Sequence, residues 1–131
     1  MKRVDVALGI VYRNGQLLVC RRRPQDRFGG CWEFPGGKAE AGETLLHCLE
    51  RELREELEIA AEAVVSLPVI EHDYPGIHVR LHPFLCAYKS GEPKPIGCAE
   101  LRWIDPSELK DFQFPRANGE LLDRVMRCLT R

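Results

Sequence analysis

Alternation of apolar and polar side chains predicts a β-hairpin at the start of the chain. Large apolar residues stand at every second position in residues 4–10, which is typical of a strand. Asn14 and Gly15 follow, and this dipeptide is typical of a two-residue hairpin turn. The return strand is therefore predicted at residues 17–20, and a further short strand at residues 32–34.

A helical period replaces the alternation in the middle of the chain and again at its end. A helix is predicted at residues 44–57 with Thr44 as its N-cap, because a Thr hydroxyl can accept a hydrogen bond from a free amide of the first turn. Its buried stripe is predicted to comprise Leu46, Leu49, Leu53 and Leu57. A second amphipathic helix is indicated by Leu121, Leu122, Val125 and Leu129.

Between these helices the pattern predicts three strands and a short helix. The strands are expected at residues 63–70, 77–88 and 99–104, and Pro68 favours an edge or a bulge in the first. Asp105, Pro106 and Glu108 have the spacing of a capping box that starts the short helix. The mixed order of strands and helices predicts an α/β fold in one domain, residues 1–131.

Composition and charge favour a cytoplasmic protein without a nucleic-acid or membrane partner. The 131 residues carry 19 basic and 20 acidic side chains, so the net charge of −1 does not indicate stable nucleic-acid binding. No apolar run approaches the roughly 20 residues that span a bilayer, and the start of the chain lacks a signal-peptide pattern. The six cysteines form no C-x-x-C pair, so free buried thiols are expected rather than disulfides or zinc ligands.

The helix predicted at residues 44–57 gathers three carboxylates on one face. Glu52, Glu55 and Glu56 have the spacing i, i+3 and i+4, at which helical side chains are neighbours. Taken alone, three such glutamates are more often a solvated acidic face than a site. Like charges repel at this spacing, however, and Arg51 can offset only part of the charge. A hard cation such as Mg²⁺, which prefers oxygen ligands, would neutralise the cluster.

A glycine loop precedes this helix and completes a known pattern. Gly36 and Gly37 predict backbone that closely approaches another group or takes a positive φ. The spacing from Gly37 through Glu43 to Arg-Glu-Leu-x-Glu-Glu at residues 51–56 resembles the signature box of the Nudix hydrolases, which cleave nucleoside diphosphates linked to another group. The resemblance implies the Nudix fold, a mixed sheet between helices. It also implies that Glu52, Glu55 and Glu56 are catalytic carboxylates. These three and the Gly36 carbonyl are the implied ligands of Mg²⁺, for which Mn²⁺ could substitute.

Three further segments resemble the MutT-type enzymes of that family, which hydrolyse 8-oxo-dGTP to the monophosphate and pyrophosphate. These segments read ALGIVYRNGQLLVCRRR near the start, WEFPGGK before the helix and FPRAN late in the chain. The resemblance implies a nucleotide site lined by Arg22, Arg27, Glu33, Phe34, Pro35, Gly36 and Asn118.

Asn118 supports two interpretations. Taken alone, it is more often the N-cap of the last helix. In MutT-type enzymes the asparagine of the corresponding loop reads the oxidised base, and an amide suits this task because it can donate and accept at once. It could donate to the guanine O6 and accept from the N7–H that only the oxidised base carries. The MutT-like context favours this second interpretation.

Several positions depart from the family pattern. Glu58 stands where the family usually has Gly, so the end of the helix is expected to be built differently. Gly76 and Ile77 replace charged residues that contact the nucleotide in MutT-type enzymes. Gly97 stands six residues before the tryptophan of the last strand, where relatives often carry a Glu that binds metal or takes a proton from water. Glu100 or a box glutamate is the candidate for that role here, although an ordinary surface position is equally expected for Glu100.

The leading hypothesis is a Mg²⁺-dependent nucleoside triphosphate pyrophosphohydrolase that acts on 8-oxo-dGTP and so keeps oxidised guanine out of DNA. One alternative is a Nudix hydrolase of another nucleotide, such as a modified pyrimidine triphosphate or a dinucleoside polyphosphate. Another is a non-catalytic module that binds a nucleotide, although the three retained carboxylates argue against it. The expected partner is a small nucleotide, and the sequence leaves monomer and homodimer open.

Overall fold

A computed structural model describes residues 2–129. The eight strands of this part are β1 (Lys2–Arg13), β2 (Gln16–Arg21), β3 (Trp32–Glu33), β4 (Gly36–Lys38), β5 (Ala60–Ser66), β6 (Ile70–Tyr74), β7 (Ile77–Ser90) and β8 (Glu100–Ile104). The α-helices are α1 (Leu45–Leu57) and α2 (Gly119–Leu129), and short 3-10 helices span Pro106–Asp111 and Arg116–Asn118.

Strand β1 organises the sheet by pairing with three other strands. It runs parallel to β7 and antiparallel to β2 and β4. The central strand order is β3-β2-β1-β7-β5, while β6 joins at β7 and β8 joins at β2. One parallel pair among antiparallel neighbours makes the sheet mixed, as predicted. The Asn14–Gly15 turn joins β1 to β2 with positive φ angles of 51° and 77°, which confirms the predicted hairpin.

A buried cluster lies on each face of the sheet, beneath one of the two α-helices. Successive strand residues point to opposite faces, so Leu18 packs with α1 whereas Leu17 packs with α2. Burial of Leu53 from α1 and of Leu121 and Val125 from α2 closes the two clusters. The predicted α/β fold, with a mixed sheet between helices, is confirmed.

The buried stripe of α1 differs from the prediction at one position. Leu46 is 48% exposed, whereas Leu45 packs against the cluster that contains Leu49 and Leu53. The stripe follows the four-residue spacing 45, 49, 53 and 57, and Leu46 lies one residue further around the helix. The predicted N-cap is confirmed, because the Thr44 hydroxyl accepts the His47 N–H at 3.1 Å.

The strand predicted at residues 63–70 is wrong in its extent. Strand β5 ends at Ser66 and β6 begins at Ile70, so Pro68 lies in a connection rather than in a strand. Proline has no N–H to donate and cannot continue a ladder. The break lets the Pro68 carbonyl accept a hydrogen bond from Arg124 of α2 at 2.9 Å, which ties this connection to the helix.

Gly36–Lys38, predicted as part of a loop, forms the short strand β4 against β1. The predicted capping box and free cysteines agree with the structure. The capping box forms, with Asp105 accepting the Ser107 N–H at 2.9 Å and Glu108 accepting the Asp105 N–H at 2.9 Å. All six cysteines are free thiols, as predicted, although Cys31 and Cys128 are only half-buried. None of the helices in residues 2–129 is long and apolar enough to cross a membrane.

Candidate active site

The glycine loop brings backbone into direct contact with β1 and α1. A Cβ atom at Gly36 would lie 2.0 Å from the Ala7 carbonyl oxygen. A Cβ atom at Gly37 would lie 2.4 Å from the carboxyl carbon of Glu52. A side chain at either position would therefore displace β1 or the carboxylate. The predicted close approach of the two glycines is confirmed.

Arg51 holds two of the three carboxylates that were predicted to bind metal. Its guanidinium donates to Glu52 Oε1 at 2.9 Å and to Glu55 Oε2 at 3.2 Å. Its Nε donates to Glu43 Oε2 at 2.7 Å, and this hydrogen bond lowers the pKa of Glu43 to about 2. One guanidinium thus serves these three carboxylates and lies 3.7 Å from a fourth, that of Glu40, so this group keeps a net negative charge.

The third carboxylate, that of Glu56, lies against the backbone of Gly97. A Cβ atom at Gly97 would lie 1.0 Å from Glu56 Oε2, and the Gly97 N–H donates to the Glu56 carbonyl at 3.0 Å. A cavity of about 150 Å³ opens here, lined by Pro35, Gly36, Glu56 and Gly97 together with Cys20, Arg22, Glu33, Leu57 and Cys98. This glycine-loop cavity brings the predicted ligands Gly36 and Glu56 together.

The donor chemistry of this region fits a divalent cation. Burial raises the pKa of Glu52, the hydrogen bond from Arg51 opposes the rise, and the negative charges of Glu56 and Glu55 add to it. Oxygen donors with incompletely compensated charge suit Mg²⁺ or Mn²⁺. Within residues 2–129, no three acidic, His or Cys side chains converge as a ready ligand group, so an ion shared by all three glutamates would compete with Arg51. The ligand assignment stays a prediction.

A second cavity, of about 310 Å³, is mainly apolar and lies against β1 and β7. Its floor includes Val6 and Leu8 of β1 and Val79 and Leu81 of β7. Five of the residues predicted to bind the nucleotide line it: Arg22, Arg27, Glu33, Phe34 and Asn118. The other two, Pro35 and Gly36, line the glycine-loop cavity. We refer to the second cavity as the apolar cavity.

Arg22 and Glu33 line both cavities and form a shared wall between them. Arg22 Nη1 lies 2.9 Å from Glu33 Oε1, and Arg22 Nε donates to the Arg27 carbonyl. Burial raises the pKa of Glu33, although the charge of Arg22 opposes the rise. The wall therefore holds a fixed guanidinium beside a carboxyl group that takes up a proton more readily than a surface glutamate does.

Asn118 lines the apolar cavity and is the last residue of the 3-10 helix Arg116–Asn118. Its backbone N–H donates to the Pro115 carbonyl at 2.9 Å. The helix α2 begins at the next residue, Gly119. Asn118 is among the residues that line the cavity, where the interpretation as a base reader requires it.

The sequence did not point to Phe28 and Tyr74, whose rings also line the apolar cavity. Their centroids lie 6.0 Å apart, and the Arg27 guanidinium lies 4.4 Å from the Tyr74 centroid and 5.2 Å from that of Phe28. Phe28 lies in the loop after β2 and Tyr74 is the last residue of β6, so no local period relates the two rings. The only sequence feature that could have indicated this wall was Phe28, a single aromatic residue in a polar loop.

Other candidate groups lie outside these two cavities. Glu100 binds Arg21 at 3.2 Å and Arg102 at 3.6 Å, and it lines neither cavity. This position favours a box glutamate over Glu100 as the proton acceptor. A larger cavity of about 530 Å³, whose lining includes Glu43 and His82, contains none of the predicted site residues.

Comparison with known families agrees with the fold and with the site. Residues 6–124 match the family model of the NUDIX domain. The chain therefore belongs to the NUDIX domain family, and the resemblance drawn from the sequence is confirmed. Members of this family are hydrolases that generally use divalent metal ions.

Two relatives and one solved structure are similar to nearly the full length of the chain. The chain is 34% identical to an 8-oxo-dGTP diphosphatase of Haemophilus influenzae, across 95% of this chain and 93% of that protein. It is also 34% identical to the CTP pyrophosphohydrolase of Escherichia coli, across 96% of this chain and 93% of that protein. A MutT NUDIX hydrolase structure from Burkholderia pseudomallei is similar with a TM-score of 0.84 and 28% identity, covering 95% of this chain and 99% of that one.

Proposed function

We propose that this protein is a Mg²⁺-dependent pyrophosphohydrolase that converts 8-oxo-dGTP to 8-oxo-dGMP and pyrophosphate. The observation that carries the proposal is the wall shared by the apolar cavity and the glycine-loop cavity, formed by Arg22 and Glu33. An apolar cavity suits a nucleobase. The adjoining carboxylates suit a phosphate chain with its metal ion. A nucleoside triphosphate has its base at one end and its phosphates at the other, and two adjoining cavities suit these two parts.

At the phosphate end, Glu52, Glu55 and Glu56 would hold the cation together with the Gly36 carbonyl. When bound, such a cation neutralises phosphate charge and lowers the pKa of an attacking water; Mn²⁺ is expected to substitute for Mg²⁺. The guanidinium of Arg22, paired with Glu33 in the shared wall, would bind phosphate oxygens. A box glutamate accepts the proton from water in this proposal.

At the base end, Asn118 distinguishes the oxidised base from guanine. The two triphosphates share their phosphates and sugar, so the metal site cannot separate them. Oxidation turns N7 from an acceptor into a donor, which reverses the partner that this position requires. Asn118 lines the apolar cavity, where the carbonyl oxygen of its side-chain amide would accept from the N7–H.

Incubation with a nucleotide panel and Mg²⁺ tests this proposal. The panel contains 8-oxo-dGTP, dGTP, CTP, a modified pyrimidine triphosphate and a dinucleoside polyphosphate, and the products are identified by chromatography and mass. We expect the highest kcat/KM with 8-oxo-dGTP and release of pyrophosphate. A higher kcat/KM with another nucleotide would overturn the assignment of 8-oxo-dGTP as the substrate. Binding without cleavage would indicate a non-catalytic module.

The variant Asn118→Ala tests the recognition of the base. It is expected to lower kcat/KM for 8-oxo-dGTP by about ten- to two-hundredfold and to affect dGTP less, because a buried polar group left unpaired costs about 1–3 kcal/mol. If Asn118 were only a helix cap, the free energy of unfolding would fall by about 1 kcal/mol and the substrate ratio would stay constant.

A pyrimidine triphosphate is the second candidate substrate. The CTP pyrophosphohydrolase of Escherichia coli is as similar to this chain as the Haemophilus influenzae 8-oxo-dGTP diphosphatase. Ile77 also lines the apolar cavity at a place where MutT-type enzymes have a charged residue. The ratio of kcat/KM for 8-oxo-dGTP and for CTP decides between the two. Both candidates belong to the pool of free nucleotides, so we propose that the enzyme acts in the cytoplasm.

A further inference from the structure

Phe28 is an exposed apolar residue with an energetically unfavourable backbone conformation. Its side chain is 41% exposed, and its φ angle is +59°, in the left-handed region that side chains larger than glycine rarely adopt. An exposed ring contributes little to a hydrophobic core, so burial does not explain why a phenylalanine stands there. Strained backbone of this kind is concentrated at sites that bind ligands.

The loop around Phe28 fixes this conformation. The Phe28 carbonyl accepts the Cys31 N–H at 3.0 Å, and the Gly30 N–H donates to the Arg22 carbonyl at 3.1 Å. A Cβ atom at Gly29 would lie 2.4 Å from the Pro24 carbonyl oxygen, so the loop is closed tightly backbone to backbone. Phe28 is therefore held in place before any ligand arrives, which lowers the entropy cost of using its ring for binding.

Phe28 and Tyr74 form a thin wall with open space on both sides. Both rings line the apolar cavity, and both also line a cavity of about 340 Å³ with His72 and Arg116. The wall is stiffened by the Arg27 guanidinium, which lies within 5.2 Å of both ring centroids. Tyr74 is engaged by Arg27 and by His72, whose ring centroid lies 4.5 Å away, whereas Phe28 stays 41% exposed and can contact a planar ligand.

We infer that Phe28 is a substrate-binding residue that stacks on the nucleobase of the substrate in the apolar cavity. This inference rests on the proposed function, because it takes the ligand of that cavity to be a nucleotide. Stacking uses the π-face that every base has, so it does not depend on the base edge. Phe28 then contributes affinity to all nucleotides alike, whereas Asn118 contributes the difference between them.

The test compares steady-state kinetics of the full chain with those of Phe28→Ala, Phe28→Leu, Phe28→Tyr and Phe28→Gly, using 8-oxo-dGTP and dGTP with Mg²⁺. Phe28→Ala is expected to raise KM for both nucleotides about five- to 150-fold, the equivalent of 1–3 kcal/mol per stacked base. We expect kcat and the ratio between the two nucleotides to stay unchanged. Phe28→Tyr is expected to restore KM, and Phe28→Leu to leave it raised, because leucine is apolar without a π-face.

Phe28→Gly separates binding from folding. Glycine adopts a positive φ without strain, so this variant is expected to unfold at the same temperature as the wild type or higher, while its KM rises as in Phe28→Ala. Val64→Ala is the matched control, since Val64 is 56% exposed on β5 and lines neither cavity. It is expected to leave KM unchanged.

A second readout does not depend on turnover. Calorimetric titration with the nucleoside monophosphate 8-oxo-dGMP is expected to give a dissociation constant raised by Phe28→Ala and restored by Phe28→Tyr. Unchanged KM and dissociation constants in Phe28→Ala, or wild-type values in Phe28→Leu, would overturn the stacking role. If the nucleotide panel reveals another preferred substrate, the same variants are measured with it and with its monophosphate. The substrate proposal can thus fail while the role of Phe28 is still decided.

Discussion

Replacing Glu58 by glycine is expected to stabilise the protein. Glu58 ends α1 with φ 59° and ψ 37°, the left-handed conformation that glycine usually supplies at this place. Its N–H donates to the Arg54 carbonyl at 3.0 Å, and the Ile59 N–H donates to the Leu53 carbonyl at 3.3 Å. The expectation that the missing glycine changes the end of the helix is therefore wrong. The same termination is built on a strained glutamate.

The size of the effect follows from three contributions. A residue with a Cβ atom in this conformation costs about 1–2 kcal/mol. Glycine loses more chain entropy on folding, which offsets about 0.5–1 kcal/mol. The lost Lys94–Glu58 ion pair, at 3.2 Å between side chains that are 64% and 48% exposed, is worth less than about 0.5 kcal/mol. A net gain of about 0.5 kcal/mol remains, which raises the melting temperature by roughly 2 °C in a chain of this size.

Thermal unfolding monitored by circular dichroism measures this gain. Glu58→Ala is the matched control, because it removes the same ion pair and keeps the strain, so it is expected to melt slightly below the wild type. Glu58→Asn is expected to melt above Glu58→Ala, since asparagine tolerates the left-handed region. Hydrolysis rates should not change in any of the three. A melting temperature of Glu58→Gly at or below that of Glu58→Ala would refute the reasoning.

Two further predictions concern the carboxylates of α1 and of the segment before it. The folded-state pKa of Glu43 is about 2, below its ordinary value of 4.5, so its contribution to stability is present above pH 4.5 and is lost as the pH falls toward 2. The free energy of unfolding in urea should therefore fall more over this pH range for the wild type than for Glu43→Gln. Parallel plots of this free energy against pH would contradict the ion pair. Glu52→Gln and Glu56→Gln are each expected to lower turnover at saturating Mg²⁺ by at least about a hundredfold with the fold retained. Near wild-type turnover in both would remove the metal assignment.

The parts of this fold that the sequence predicted are those with local causes. The Asn14–Gly15 turn and the Thr44 cap depend on residues a few positions apart, and both form as expected. The box helix is likewise defined by its own period. Its exact buried face was not, because Leu45 and Leu46 are both apolar and only contact with the sheet decides between them.

The parts that were not predicted depend on contacts distant along the chain. The parallel pairing of β1 with β7 brings the two strands beneath the apolar cavity together, and nothing local encodes its register. The wall of Phe28 and Tyr74 joins the loop after β2 to the end of β6. Resemblance to a family could name Arg22 and Asn118 as site residues, but it could not show that the shared wall joins the two cavities. Phe28 lies between the segments that resemble MutT-type enzymes, so the resemblance did not indicate it.

Gly97 illustrates how a substitution visible in the sequence acquires its meaning only in the structure. The sequence shows a glycine where relatives often carry a glutamate, which suggested that another carboxylate takes over its task. In the structure the Glu56 carboxylate lies where a side chain at position 97 would begin, because a Cβ atom there would be 1.0 Å from Glu56 Oε2. The glycine therefore makes room for Glu56 in the glycine-loop cavity.

Gly97→Ala is accordingly expected to impair hydrolysis while leaving the fold intact. The clash involves the far end of a flexible side chain, so the carboxylate can move and the free energy of unfolding should change by less than about 1 kcal/mol. A displacement of about 1 Å at a reacting centre costs on the order of a hundredfold in rate. Gly119→Ala is the matched control, since a Cβ atom there meets nothing within 4 Å. We expect kcat to fall in Gly97→Ala alone, measured with the preferred nucleotide and Mg²⁺. Equal kcat in both variants would mean that the position of Glu56 beside Gly97 has no part in the chemistry.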